Sequence, residues 1–414
     1  MSNRSISLPN ATPLPGYQQW PAELRRSGEY IQALYIHIPF CTYKCDYCDF
    51  YSLAGHQNEF GNYLDALERQ MEIELAFFGP VAPDTIFIGG GTPTLLPPDQ
   101  LQRLMAAVSR HCDTTRLVEY TVESNPNTFD VDLAAVLARA GVNRLSFGAQ
   151  SFQPDELVTL NRDHDPQSVG RALKLARQAG ITNLNIDLIY AIPGQTVESL
   201  AENLKQAVDL GPTHLSCYGL MYEPNTPMTA RALRGLVKRV DEELELAMMH
   251  LVAERLQAAG FHRYEISNWA KPGLACRHNL HYWHADDHLA WGVSASGHSG
   301  GTRWKYVSSL HRYVDALRMG LLPLVEMEHL PESSRWAERA VLQLRLAEGI
   351  DLAGFEQRSG MGVAAKLGGI ITKYQNHGML DLIAAEQGRM ALTDAGIAVS
   401  DTIFADVFAA ISAS

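Results

Sequence analysis

Between residues 35 and 218 the chain alternates short apolar runs with stretches of helical periodicity, and this pattern limits the fold more than any other feature. Strand-like runs at 35–40, 85–88, 119–123, 144–148, 185–189 and 214–218 are separated by helical patterns at 58–78, 99–111, 131–140, 167–179 and 197–210. Strands joined through helices pair in parallel and are covered by those helices. Six such steps predict an α/β architecture, with a parallel sheet curled into a partial barrel or left open. In sheets of this kind the chemistry gathers at the carboxyl ends of the strands.

The first strand, Tyr35-Ile36-His37-Ile38-Pro39-Phe40, ends in proline and runs straight into Cys41, Cys45 and Cys48. The other three cysteines, Cys112, Cys217 and Cys276, are scattered. Clustered cysteines in a large chain bind metal or do redox chemistry more often than they form bridges. A zinc site wants a fourth ligand, and no second Cys-x-x-Cys pair or His-x-x-x-His run lies nearby. His281, His284 and His288 imitate a zinc spacing but lack further ligands. Three thiolates in so short a loop suit an iron–sulfur cluster with one iron left open to a non-protein ligand.

The later strand ends are polar. The second leads into Gly89-Gly90-Gly91-Thr92-Pro93-Thr94, where missing side chains allow a ligand close to the backbone. The third ends in Glu123-Ser124-Asn125-Pro126 and the fourth in Gly148-Ala149-Gln150-Ser151; the fifth carries Asp187, and Arg162 follows Gln150 by twelve residues. A carboxylate at such a place accepts from a ribose or an ammonium group, and arginine pairs with a carboxylate through two parallel bonds.

Taken together, these residues resemble the radical S-adenosylmethionine (SAM) superfamily. The resemblance implies a partial (β/α)6 barrel in which Cys41, Cys45 and Cys48 hold a [4Fe–4S] cluster and the methionyl end of SAM completes the fourth iron. It implies an aromatic before the third cysteine, here Tyr47, and a glycine turn, here Gly90, Gly91 and Thr92, meeting the amino and carboxylate groups of the cofactor. Glu123, Gln150, Arg162 and Asp187 match cofactor-contacting positions of the oxygen-independent coproporphyrinogen oxidases, and Tyr35 and Met221 are carried over by the same likeness. Ile192-Pro193-Gly194-Gln195-Thr196 and Tyr264-Glu265-Ile266-Ser267-Asn268 extend that likeness over roughly residues 33 to 400.

Two branches of that group fit unequally. The oxidases carry one more cysteine two residues after the third, where this chain has Phe50. The HemW-type heme chaperones carry a His-Asn-x-x-Tyr-Trp signature, present as His278-Asn279-Leu280-His281-Tyr282-Trp283. A heme pocket needs a flat apolar slot, aromatic walls and an imidazole or thiolate for the iron. The stretch 278–298 supplies five histidines with Tyr282, Trp283 and Trp291, and the resemblance singles out His278, Tyr282 and Trp283, with Cys276 beside them. It therefore implies heme as cargo and acceptor hemoproteins as partners, membrane-associated respiratory enzymes among them, with a homodimer as one assembly. The dedicated alternative is a coproporphyrinogen dehydrogenase.

Residues 241–259 read as an amphipathic helix whose methionines belong to a core. After Pro331 short helices at 334–346, 352–358 and 364–377 precede a hairpin-like pair at 379–383 and 388–392, a mainly helical, winged-helix-like C-terminal domain. A DNA-binding role for it is disfavoured, because helix 364–377 offers only Lys366 and Lys373, with His377 at its end, and the hairpin only Arg389. The organisation expected is a leader over 1–32, the barrel over 33–228, an accessory region with the heme motif over 229–330, and the C-terminal domain over 331–414. The 34 basic and 46 acidic residues give a net charge of −12, which disfavours nucleic acid and broad anionic-membrane binding, save through a local basic patch. The proline-broken leader lacks an apolar core, and no apolar run approaches the roughly 18–20 residues of a membrane span, so the cytoplasm is the expected location.

Overall fold

The computed structural model describes Trp20, Leu24 and residues 31–413; most of the leader expected over 1–32 lies outside the described residues. The main strands are β1 (Ala33–Ile38), β2 (Thr85–Gly90), β3 (Glu119–Ser124), β4 (Arg144–Gln150), β5 (Asn183–Tyr190), β6 (His214–Gly219), β7 (His262–Glu265), β8 (Asn268–Ala270), β9 (His288–Trp291), β10 (Ser296–Ser299), β11 (Thr302–Tyr306) and β12 (Leu324–His329). Helices Phe60–Phe78, Pro98–His111, Val131–Arg139, Gln167–Gln178 and Val197–Asp209 connect the first six, close to the expected bounds. β1 is buried at every position but Tyr35, which is why a parallel strand reads as an unbroken apolar run. The sequence reading missed the helix Pro154–Thr159, whose six residues are too few to show a period.

The chain packs as two compact units that do not follow chain order. The first comprises the described residues up to Ile186 with Met221–Val237 and Asp286–His329; the second comprises Asp187–Leu220, Lys238–Ala285 and 330–413. The expected accessory region 229–330 is therefore shared between them.

In the first unit β1 to β4 pair in parallel in sequence order. On its other side β1 pairs in parallel with β9, Ala33 opposite His288 and Ile36 opposite Trp291. From β9 the sheet continues antiparallel through β10, β11 and β12. Helix Phe60–Phe78 turns a polar pair, Gln70 and Glu74, into this core, where both are fully buried. Glu74 accepts from Gln70, Tyr306 and Trp291, and Tyr63 donates to the backbone oxygen of His37 at 2.5 Å. Trp20 packs edge-on against Phe78 and Trp304.

In the second unit β8 pairs antiparallel with both β6 and β7. The helix expected over 241–259 is Glu242–Ala258, started by Asp241, whose carboxylate accepts from the Leu244 N–H; its Met248 is fully buried, a core residue. Helices Glu332–Leu344, Val363–Asn376 and Ser400–Ser412 enclose a core of Leu344, Phe355, Leu367, Ile403 and Val407. The hairpin expected at 379–383 and 388–392 shrinks to one bridge between Leu380 and Leu392. The Asp381 carboxylate accepts from the N–H groups of Ile383 and Ala384 and starts a short helix instead, as aspartate does at an N-cap. The two-stranded element is formed by Ile350–Asp351 with Arg389–Met390.

Candidate functional site

In the first unit the chain leaves β1 through Pro39 and forms a closed loop. Phe40–Cys41 pairs with Leu53–Ala54, and the Leu53 N–H donates to the Pro39 oxygen at 2.7 Å. All three clustered cysteines lie on this loop. Cys45 is buried, Cys41 and Cys48 half-buried. Arg162 holds Nη1 at 3.5 Å from Cys45 Sγ and donates through Nη2 to the Gly148 oxygen at 2.5 Å. The Thr92 hydroxyl lies 3.9 Å from Cys41 Sγ. Burial pushes the Cys48 thiol up to about 11 and raises Cys41 as well. As free thiols these two would keep their protons at neutral pH, so the loop favours thiolate only through coordination to a cation. Among the described residues no group of three or more His, Cys, Asp or Glu is set to hold one metal ion. Thiolates bound to three different irons of a cluster stand farther apart than the ligands of a single ion. Three partly desolvated sulfurs on one loop, that of Cys45 beside the Arg162 guanidinium, are a donor set that fits a [4Fe–4S] cluster.

The glycine turn is packed too closely for side chains. A Cβ on Gly89 would lie 2.6 Å from Glu123 Oε2, one on Gly91 2.6 Å from the Phe40 oxygen, and one on Gly90 2.3 Å from His37 Cε1. Gly90 has φ +108° and donates its N–H to Glu123 at 2.9 Å. Gly91 and Thr92 donate to the oxygens of Ile38 and Phe40. The amides of Gly90, Gly91 and Thr92 are thus all engaged, and the turn cannot receive a carboxylate on them. These amides thus give no support to the expected contact with the cofactor's carboxylate.

Gln150 ends β4 at φ +65°, in the left-handed region. A Cβ on Gly148 would lie 2.9 Å from Gln150 Nε2 and 3.0 Å from Arg162 Nη2, so Gln150 and Arg162 share one place. Tyr47 is half-buried, its phenol raised by burial and pulled back by Arg162. Sequence reasoning missed His37. Its Nε2 donates to the Tyr51 oxygen at 2.8 Å, which leaves Nδ1 to accept from the Tyr35 hydroxyl at 3.0 Å. Burial lowers its pKa to about 4, so the imidazole is neutral. The signal was present in the alternation of β1, since Tyr35 and His37 fall on one face, opposite Ile36 and Ile38.

Two more residues were expected at the strand ends. Met221 is 68% exposed at the start of the 221–237 segment. Asp187 belongs to the second unit, where burial and then its charge push up the Cys217 thiol and the Tyr218 phenol.

The heme candidates sit in the second unit on helix Arg277–Trp283. His278 is only 1% exposed, with Nε2 2.9 Å from the Tyr282 hydroxyl and the two rings edge to face. This imidazole is closed to solvent. Tyr282 and Trp283 are half-buried; the Arg345 guanidinium lies 4.5 Å over the Trp283 ring, whose Nε1 has no hydrogen-bond partner. Asn279 donates to the Tyr264 hydroxyl at 3.5 Å, and that hydroxyl is 2.9 Å from His214 Nε2. Arg345 also lines a cavity of about 450 Å3 with Phe261, Arg263, Glu265, Leu392 and Ile397.

The chain is similar to known proteins along most of its length. Residues 35–207 match the radical SAM superfamily and residues 330–399 the HemN C-terminal domain. The chain is 33% identical over 375 residues to the heme chaperone HemW of Bacillus subtilis, covering 90% of this chain and 98% of that one. It is 39% identical over 267 residues to HemW of Escherichia coli, covering 64% and 69%. Among solved structures it resembles the radical SAM coproporphyrinogen III oxidase HemN of Escherichia coli, with a TM-score of 0.81, 25% identity and coverage of 93% and 91%. The fold is the α/β partial barrel of that superfamily followed by a mostly helical C-terminal region. The loop of three cysteines, the glycine turn beneath it and this similarity along nearly the whole chain lead to one assignment: the chain belongs to the HemW heme-chaperone family of the radical SAM superfamily.

Proposed function

We propose that this protein is a heme chaperone that binds heme and passes it to acceptor hemoproteins. The observation that carries the reading is similarity to HemW proteins over 90% of the chain, joined to Phe50, 65% exposed, at the position where the oxidases have a fourth cysteine. In this reading Cys41, Cys45 and Cys48 hold a [4Fe–4S] cluster. Arg162 offsets the negative charge of the thiolates beside Cys45, and Glu123, Gln150 and Tyr35 line the strand ends toward SAM. When bound, the cluster and SAM supply one-electron chemistry or, in a chaperone, a redox-sensitive scaffold. Tyr47 shields the cluster loop from water, Thr92 donates toward Cys41, and the neutral His37 supports the glycine turn from below. Asp187, Gly90, Gly91 and Met221 complete the cofactor set carried over by resemblance, and Tyr282 and Trp283 form the approachable edge of the heme motif, with His278 behind them.

The acceptors proposed are hemoproteins, membrane-associated respiratory enzymes included, reached from the cytoplasm, and a homodimer is the proposed assembly. Among the described residues no helix is long and apolar enough to cross a membrane. The second reading, an oxygen-independent coproporphyrinogen dehydrogenase, is favoured by the TM-score of 0.81 to that oxidase. One experiment separates them. The cluster is reconstituted without oxygen, and the protein is given SAM, a low-potential reductant and coproporphyrinogen III, then in parallel heme and an apo-hemoprotein. Heme transfer without porphyrin product supports the chaperone; protoporphyrinogen with 5′-deoxyadenosine reverses the assignment.

A further inference from the structure

On the wall of one cavity in the second unit, a buried acceptor and a buried donor are left unmatched. The cavity, of about 450 Å3, is lined by β7, by residues 345–347 after helix Glu332–Leu344, and by Leu392 and Ile397. Glu265 forms an antiparallel bridge with Leu346, and the Ala347 N–H donates to the Tyr264 oxygen at 2.9 Å. That pairing sets Glu265 opposite the neighbour of Arg345, and both residues line the cavity.

Glu265 is 1% exposed. Its Oε1 accepts from the Ser267 N–H at 3.0 Å and from the Asn268 side-chain amide, while Oε2 has no hydrogen-bond partner within the protein. Burial raises its pKa, and the Asn268 bond and then the Arg345 charge pull it back. Arg345 is half-buried over the Trp283 ring, and its buried Nε also lacks a partner. The two charges feel each other, yet among the described residues no ion pair joins them. Buried polar groups are ordinarily matched, so a carboxylate oxygen left open on a cavity wall points to a ligand. The other charges around the cavity are already engaged. Arg263 pairs with Asp394, and the Asp381 carboxylate accepts from the N–H groups of Ile383 and Ala384. Lys271 lies 4.1 Å over the Phe261 ring and donates to the Ala259 oxygen, and His262 is exposed.

What remains is one negative and one positive group. A cationic ligand would meet Arg345 and an anionic one Glu265, and either would carry an unbalanced charge into a partly desolvated place. A zwitterion brings both signs and no net charge, and each end finds a charged partner for a strong hydrogen bond. The walls of Phe261, Leu346 and Leu392, all buried, suit an apolar side chain, as small-molecule sites commonly do. We propose that this cavity binds a free α-amino acid with an apolar side chain. Its ammonium donates to Glu265 Oε2, its carboxylate accepts from the Arg345 guanidinium, and its side chain lies against Phe261, Leu346 and Leu392. This inference does not depend on the heme reading.

The test is isothermal titration calorimetry of the full-length, cluster-loaded protein with L-leucine and with L-phenylalanine. Three relatives of leucine each lack one feature: isocaproate the ammonium, leucinamide the carboxylate, and glycine the apolar side chain. At least one of the two amino acids binds saturably. Isocaproate and leucinamide bind ~10-fold or more weakly than leucine, each having lost a charge-assisted bond, and glycine does so for want of apolar burial. Glu265→Gln, which keeps an acceptor for Ser267 and Asn268, and Arg345→Met each weaken binding by ~10-fold or more. Circular dichroism and thermal unfolding show whether the variants are folded, and the series of leucine relatives on the natural chain decides the matter if they are not. The proposal is overturned if neither amino acid binds, which would leave water as the partner of Glu265. Isocaproate or leucinamide binding as well as leucine overturns it as well, by showing an apolar or amide site, and so does undiminished binding in either folded variant.

Discussion

Glu74 offers the most quantitative test of how the first unit is held together. Its carboxyl is fully buried and accepts from Gln70 Nε2 and the Tyr306 hydroxyl at 2.5 Å each and from Trp291 Nε1 at 3.2 Å. Three donors favour the ionised form, but burial wins and pushes the pKa from 4.5 up to about 7. A carboxyl that holds its proton longer in the folded than in the unfolded chain makes stability fall as pH rises between those two values, with no change below or above them. At about 1.4 kcal/mol for each pH unit of that interval, ionising Glu74 costs the fold ~3 kcal/mol. His37 and His164 act oppositely: their folded values near 4 lie below the ordinary 6.5, so their contribution rises with pH from about 4 to 6.5. The raw pH profile therefore mixes signs, and only the difference from a Glu74→Gln variant isolates the carboxyl. The side-chain amide of that variant meets the Trp291 donor with its own NH2 in one orientation and leaves Gln70 or Tyr306 unmatched in the other, a constant penalty of about 1–3 kcal/mol. Between about pH 5 and pH 8 the variant should gain ~3 kcal/mol on the natural chain, read from anaerobic urea unfolding followed by tryptophan fluorescence. Parallel profiles would refute the reasoning, and so would a carboxyl infrared band, absent in the variant, that titrates near the ordinary glutamate value.

Other outcomes follow from the site. Cys45→Ser should abolish the cluster absorbance, and unchanged iron and sulfide content would remove the thiolate assignment. Gly90→Ala, with φ +108° and His37 in its path, should cost well over ~2 kcal/mol and lose SAM in equilibrium dialysis, whereas Gly79→Ala, with φ +84° and open space, should cost only about 1 kcal/mol in thermal unfolding. Equal losses at the two glycines would mean that close packing beneath the turn is unimportant. Tyr282→Phe keeps the ring but strips His278 Nε2 of its hydroxyl partner, costing about 1–2 kcal/mol. A Soret titration altered in Tyr282→Phe and in Trp283→Leu, but not in His284→Ala, would place heme at that edge of the helix; the reverse pattern would move it away.

The barrel was legible because each of its signals is local. A strand buried on both faces writes itself as an apolar run, as in Ile86 to Ile88, and the residues that follow it are dictated by what must fit there. Gly89 to Gly91 are glycines because Glu123, His37 and Phe40 leave no room for a Cβ. Cys41, Cys45 and Cys48 lie within eight residues, on the loop closed where Phe40–Cys41 pairs with Leu53–Ala54. β9 to β12 were not legible: His288-Leu-Ala-Trp291 is four residues long, and nothing in it says that its partner is β1, some 250 residues earlier. The hairpin at 379–392 failed for the opposite reason, since one carboxylate at Asp381 outweighed the strand propensity of its neighbours.

The His-Asn-x-x-Tyr-Trp motif shows where a sequence pattern stops short of a geometry. His-Asn-x-x-Tyr-Trp on a helix places residues 278 and 282 one turn apart, and the structure spends that proximity on a contact between His278 and Tyr282. A side chain chosen only to ligate iron would stand open to its cargo; His278 is packed away and hydrogen-bonded. The outward part of the motif is instead Tyr282 and Trp283, with Arg345 stacked on the indole. Under the proposed chaperone reading, the burial of His278 moves the search for the iron ligand from the residue the motif names first to the residues around it.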